Sequence, residues 1–190
     1  MREFLDTDRF DFQLTEDSVC VDVGAFEGRW SHAIATRYGC TILAYEPVLR
    51  FFLIAGETLK DCPKVALMNC GLGANFRMQD FHIQADSTGM FSTAPEVERV
   101  TIMPLVPHLR STAFPFFDLL KLNCENMEYE ILEHVIASSA CRMFGRILVQ
   151  FHVQAPDFQR RYAQIAASLS FSHDCTARKP FVWELWTIRA

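Results

Sequence analysis

No apolar run in this chain of 190 residues approaches the ~18 needed to cross a bilayer. That excludes a membrane helix as the element around which the chain is built. The N-terminus, M-R-E-F-L-D-T-D-R-F, carries too much charge for a signal peptide. The expectation is a soluble, cytoplasmic protein with no membrane partner. A basic block is missing too: 18 Lys and Arg stand against 23 Asp and Glu, for a net charge of -5. Binding to nucleic acid without sequence preference depends on neutralising phosphates, so no nucleic-acid partner is expected. There is no C-x-x-C pair and no H-x-x-x-H, so metal-ligand spacing is absent. The seven cysteines are an odd number in a chain too long and too apolar to need a disulfide framework, and they read as small buried hydrophobes. The G-x-G-x-x-G fingerprint of a dinucleotide cradle is also lacking.

What is present is hydrophobic mass. Half the residues are apolar and 17 are Phe, enough for a sizeable core in one domain spanning residues 1–190. Short apolar runs at Val19–Val23, Thr41–Tyr45, Lys64–Asn69, Phe116–Leu122 and Ile147–Phe151 read as buried strands. Between them, helical spacing covers Ser31–Tyr38, Phe51–Lys60, Met127–Ala137 and Pro156–Leu169, with Pro47 able to open the second helix. The alternation predicts an α/β fold, a mainly parallel, doubly wound sheet with helices on both faces. Ser170–Thr176 and Phe181–Ile188 have no helix between them and predict a terminal antiparallel pair. Residues 1–18 read as an arm or short helix. Residues 74–110, with Phe76–Ile83, Met90-Phe91-Ser92 and Val97–Met103, read as an irregular insertion carrying a hairpin.

The most informative stretch is Val19–Gly28, V-C-V-D-V-G-A-F-E-G. A buried strand ends in an acid, Asp22, and is followed by Gly24 and Gly28, where the chain must turn sharply and a ligand can approach. Ligands of open α/β sheets sit outside the carboxyl ends of the strands, where Asp22 could accept a hydrogen bond from one. The same pattern can also be a plain connector. Glu46, 22 residues past Gly24 at the end of the second strand, matches the acid that takes ribose hydroxyls in nucleotide-binding folds; the alternative is a solvated surface acid.

Further on, Asp118–Leu132 reads D-L-L-K-L-N-C-E-N-M-E-Y-E-I-L. With V-D-V-G-A-F-E-G-R-W-S and A-Y-E-P, this resembles the FkbM-type methyltransferases over residues 19–188. The matching positions are Asp22, Gly24, Ala25, Gly28 and Ser31, then Glu46 and Pro47, Asn69 and Gly71, and Asp118, Leu120, Lys121, Glu125 and Glu128. Gln150-Phe151-His152 and the closing W-E-L-W resemble the family's later strands. The resemblance implies a Rossmann-like class I methyltransferase with seven strands, the last antiparallel, using S-adenosylmethionine, usually on a hydroxyl oxygen of a small molecule or sugar. It implies that the Asp22–Gly28 turn holds the methionine part of the cofactor, Glu46 its ribose, and the Asn69–Gly71 loop lies near the adenine. Asn123 and Glu125 would face the methyl. Three departures stand out: Asn123 where the family has Asp, Asn126 where it has Gly, and Phe26 where an amide is common.

Glu125, just past a strand's carboxyl end, is the first candidate for a base, with Asn123 orienting a hydroxyl and His152 as a further catalytic candidate. Glu128 reads as a helix-surface acid, and Lys121 as paired with an acid or reaching the surface along its stem. Asp118, Asn123 and Glu125 are hard oxygen donors that could take Mg²⁺, although no metal is expected. Two rival functions remain: a cofactor-binding module without turnover and an NAD(P)-dependent oxidoreductase. Phe76, Phe81, Phe91, Phe114, Phe116 and Phe117 are candidates for an apolar acceptor pocket or for core.

Overall fold

The computed structural model describes residues 1–83, 95–154 and 157–190. Met90-Phe91-Ser92 and Pro156 lie outside the described residues. In chain order the elements are β1 (Arg2–Glu3), β2 (Val19–Val23), α1 (Arg29–Tyr38), β3 (Thr41–Tyr45), α2 (Leu49–Leu59), β4 (Val65–Met68), β5 (Gly71–Gly73) and β6 (Arg77–His82). They continue with β7 (Val97–Pro104), α3 (Leu105–Arg110), β8 (Leu119–Leu122), α4 (Met127–Ala137), β9 (Arg146–Val149), α5 (Phe158–Leu169), β10 (His173–Lys179) and β11 (Trp183–Ile188).

Eight strands form one sheet in the order β1-β10-β11-β9-β8-β2-β3-β4. From β9 across to β4 every neighbour is parallel, and β11 runs antiparallel to both β9 and β10. The terminal antiparallel pair is therefore present, but its last strand inserts between β9 and β10 instead of closing an edge. Alternation along β2 explains the two-sided core. Val19, Val21 and Val23 face a cluster shared with α3, α4 and α5, while Cys20 faces a second cluster with Ile34 of α1.

The first 18 residues are tied down by β1, which pairs with β10. A 3₁₀ turn follows at Asp6–Arg9, and Phe4, Phe12 and Leu14 are buried in the second cluster. The Trp30 indole donates to the Arg9 carbonyl at 2.7 Å, fastening this segment to α1.

Residues 71–104 contribute a second, three-stranded sheet, β5-β7-β6, with β6 antiparallel and β5 parallel to β7. The short strand β5 and the helix α3 have no counterpart in the sequence reading. Three residues with two glycines carry no readable period, and the Pro107 inside α3 reads as a breaker. Pro47 does not open α2, which starts at Leu49 after an extended Val48. Among the described residues no helix is long and apolar enough to cross a membrane.

Candidate active site

The carboxyl ends of β2, β3 and β8 meet above the sheet. Gly24 has φ +79°, and a Cβ there would collide with the backbone carbonyl of Asn123. Only glycine lets the β2 turn pass this close to β8. The Gly24 and Ala25 N–H groups both donate to the Tyr45 carbonyl at 3.0 Å, and the Gly28 N–H closes the turn on the Ala25 carbonyl at 2.8 Å. Behind the turn lies a buried ion pair. Lys121 Nζ donates to Asp22 Oδ1 at 2.7 Å and to the Gly24 carbonyl at 2.8 Å, and the Ser31 hydroxyl donates to Asp22 Oδ2 at 2.6 Å. The Asp22 carboxylate thus faces the start of α1 and supports the turn from behind. Both its oxygens are engaged, by Ser31 and Lys121, and Asp22 is not among the residues that line the cavity.

Glu46 reaches the front of the turn. Its Oε2 accepts from the Phe26 N–H at 2.8 Å and its Oε1 from the Val48 N–H at 2.9 Å. It is 5% exposed, so it is no solvated surface acid. Burial raises its pKa to about 7, outweighing the two N–H donors and the Lys121 charge, which act the other way. Asn69 uses its amide to donate to the carbonyls of Glu46 and Pro47, both at 3.0 Å, and so shapes the loop.

After β8 the backbone takes two consecutive left-handed residues, Glu125 (φ 49°) and Asn126 (φ 75°), before α4. Asn at the second of these keeps the turn for which glycine would be the usual choice. The turn brings Glu125 Oε1 to 3.1 Å from His152 Nε2. On the other side of the ring, Glu128 Oε1 lies 3.1 Å from Nδ1 and accepts from the His152 backbone N–H at 2.7 Å. Glu128 is fully buried, which corrects its reading as a surface acid. Burial alone would lower the imidazole pKa, but hydrogen bonds from the ring to Glu125 and Glu128, and their charges, raise it to about 9.

A cavity of about 120 Å³ opens between these groups, lined by Gly24, Phe26, Glu46, Gly71, Asn123 and Glu125 among others. Val48, Phe51, Leu72, Phe81, Ile102 and Met127 form its apolar wall. The Phe26 ring, on a left-handed residue at φ 52°, packs 4.4 Å from Phe51.

The sequence model of the FkbM methyltransferase domain matches residues 22–178. The chain belongs to the FkbM methyltransferase family. No curated protein matches the sequence. Similar solved structures include a protein described as an rRNA methylase from Clostridium thermocellum, at 9% identity and TM-score 0.63, covering 100% of this chain and 98% of that one. The METTL16 methyltransferase domain follows at 12% identity and TM-score 0.57, covering 97% and 65%. A protein described as an O-methyltransferase from Klebsiella pneumoniae has 14% identity and TM-score 0.54, covering 93% and 75%. The chain thus spans just under two thirds of the METTL16 domain. At these identities the likeness carries the fold alone: a Rossmann-like class I methyltransferase sheet.

Family and fold imply S-adenosylmethionine as the methyl donor, and the FkbM site has groups that fit it. Asn123 Oδ1 is buried with no partner among the described residues and sits in a residue lining the cavity, an acceptor that suits an ammonium group. Gly24 lines the cavity with backbone only, and Glu46, which accepts one N–H on each oxygen, keeps spare lone pairs. Of the eight residues expected to hold the cofactor, Gly24, Glu46 and Gly71 line the cavity. Asp22, Ala25, Gly28, Ser31 and Asn69 are not among its lining residues. Of the catalytic candidates, Asn123 and Glu125 line it, and His152 is bonded to Glu125.

The Mg²⁺ donor set does not assemble. Asp118 Oδ2 accepts from the Val19 N–H at 2.8 Å, at the opposite end of β8 from Asn123 and Glu125. Among the described residues no cluster of His, Cys, Asp and Glu could hold a metal ion. Of the six Phe residues considered for a pocket, Phe81 lines the cavity. Phe117 is core, Phe114 packs against it, Phe76 and Phe116 are exposed, and Phe91 lies outside the described residues. The apolar wall from Val48, Leu72, Ile102 and Met127 was not legible as a site. Such residues look like any core, and only Phe26, by departing from the family pattern, gave a signal.

Proposed function

We propose that this FkbM methyltransferase methylates a hydroxyl of a small molecule or sugar, with Glu125 as the proton acceptor. The observation that carries this is the pairing of Glu125, which lines the cavity, with His152 at 3.1 Å. When bound, S-adenosylmethionine supplies a methyl group activated by its sulfonium. Gly24 and Asn123 would receive its methionine end, Glu46 its ribose hydroxyls, and Gly71 and Leu72 the side toward the adenine. The chain's remaining task is to align an acceptor oxygen and remove its proton.

Asn123 has no ionisable group and serves as an acceptor that orients. His152, protonated at neutral pH, has no lone pair free and cannot be the base. Glu125, with one oxygen on His152 and the other available, takes the hydroxyl proton. Asn123 in place of the family's Asp favours a second reading, cofactor binding without turnover.

Titration calorimetry with S-adenosylmethionine and S-adenosylhomocysteine, with NAD as control, tests the site. Micromolar binding that disappears in Glu46→Ala is expected; no binding by folded protein overturns the reading. With a hydroxylated acceptor panel, Glu125→Gln is expected to keep cofactor affinity and lose about 10²–10⁴-fold in kcat. Cofactor binding with no transfer to any acceptor would favour the second reading.

A further inference from the structure

Glu128 has no place in the chemistry above, yet it is a fully buried carboxylate that contacts His152 twice. It sits in the first turn of α4 with no exposed surface. Burying a carboxylate is unfavourable unless its charge is met. One oxygen, Oε1, meets both the backbone N–H and the ring Nδ1 of His152, at 2.7 and 3.1 Å. The next residue of the helix, Tyr129, donates its hydroxyl to the His152 carbonyl at 2.6 Å. The first turn of α4 therefore grips residue 152 at its N–H, its carbonyl and its ring.

A purely structural link would need only the backbone contacts. The ring contact does more: it assigns a proton to Nδ1 and turns Nε2 toward Glu125. Glu125 sits on a left-handed residue with its side chain 21% exposed, so without an anchor its carboxylate would sample several rotamers. The titratable groups facing the imidazole are Glu125 from the β8–α4 turn and Glu128 from α4. Cys124 lies 3.9 Å from Glu128 Oε2, and the Tyr129 hydroxyl is taken by the His152 carbonyl.

We propose that Glu128 is a positioning residue: it fixes the ring and the charge of His152, so that Nε2–H holds the Glu125 carboxylate at the cavity. The inference rests on the reading of Glu125 as proton acceptor. The relay runs from helix to histidine to base, and Glu128 itself never meets the acceptor.

The test combines ¹⁵N NMR of the His152 ring with kinetics in Glu128→Gln. The amide can still accept from the His152 N–H, so the backbone contact is kept while the charge is lost. In the unaltered protein His152 is expected to be an imidazolium at pH 7, and in Glu128→Gln to lose its proton at lower pH than in the unaltered protein. The variant should keep its affinity for S-adenosylhomocysteine. Its kcat should fall by at least about tenfold, less than loss of a general base costs, and the acid limb of the kcat–pH profile should move. Glu128→Asp should recover part of the kcat.

An unchanged His152 titration in folded Glu128→Gln overturns the proposal. So does a neutral His152 at pH 7 in the unaltered protein, a measurement that stands even if the variant fails to fold. Full kcat in Glu125→Gln would instead refute Glu125 as base, leaving the His152 titration to judge Glu128 separately.

Discussion

A carboxylate with a pKa of about 7 is a pH-sensitive cofactor ligand. In the proposed site Glu46 would be such a ligand, its pKa raised by burial at the end of β3. Ribose hydroxyls donate, so they are best received by the ionised form. The sign follows: Glu46 takes up a proton as pH falls through about 7, and its capacity to accept is lost below that. Affinity for S-adenosylhomocysteine should therefore fall by up to about tenfold per pH unit below neutrality and level off above it. His152, with its pKa at about 9, stays protonated throughout that range and adds no slope. Calorimetry across pH 5.5 to 8.5 checks this, and Glu46→Gln should bind weakly with a flat profile. An unaltered protein whose affinity is flat across neutrality would remove Glu46 from the ribose site. The position of Glu46 was legible in the sequence because a strand end and a fixed offset from Gly24 define it. The roles of Asp22 and Glu128 were not. Whether a carboxylate turns toward a cavity or away from it depends on partners distant in sequence, Lys121 for one and His152 for the other.

Strand β8 shows how an element can carry a site without entering it. Its apolar run places Leu120 and Leu122 in one core cluster and Leu119 in the other, and Lys121 falls on the face of Leu119. The ammonium meets Asp22 and the Gly24 carbonyl, so a single side chain couples β8 to the turn after β2. Its side chain is 5% exposed and that of Asp22 0%. Removing one partner leaves the other charge buried, which costs about 3–5 kcal/mol. Lys121→Met should show that loss in urea unfolding. Any protein that remains folded should bind S-adenosylhomocysteine poorly, because the Gly24 carbonyl has lost its donor. A stability loss under about 1 kcal/mol, within the range of exposed ion pairs, would mean the pair does not organise the turn. The sequence announced this strand by its hydrophobicity, and the family pattern marked the lysine. Neither could say that the lysine pairs across the sheet with the acid of the glycine turn, since the two are 99 positions apart.

At the scale of the molecule, the main sheet supplies the floor of the site and the small β5-β7-β6 sheet supplies its apolar side, through Leu72, Phe81 and Ile102. The parallel order was legible from alternating strands and helices, because each crossover imposes it. The small sheet was legible only as two strands, since β5 offers no periodicity and gains its place by pairing with β7. Besides its buried residues in the main core cluster, it has a polar attachment to α4. Glu130 of α4 binds Arg77 through two contacts, Nη1–Oε1 at 2.7 Å and Nη2–Oε2 at 2.9 Å, and its Oε1 also accepts from the Ala74 N–H. A Cβ on Gly73 would lie 2.8 Å from that same oxygen, so the sheet can approach only because glycine stands there. Arg77→Ala leaves a partly buried carboxylate with one neutral donor, a loss of roughly 1–3 kcal/mol borne by this attachment. Amide exchange should accelerate in β5, β6 and β7 by tenfold or more while β2, β3 and β8 keep their protection. Cofactor affinity should drop in the same variant, since one wall of the cavity then opens more often. Uniform acceleration across both sheets would instead show that they unfold as one unit, and that the cavity wall is no more mobile than its floor.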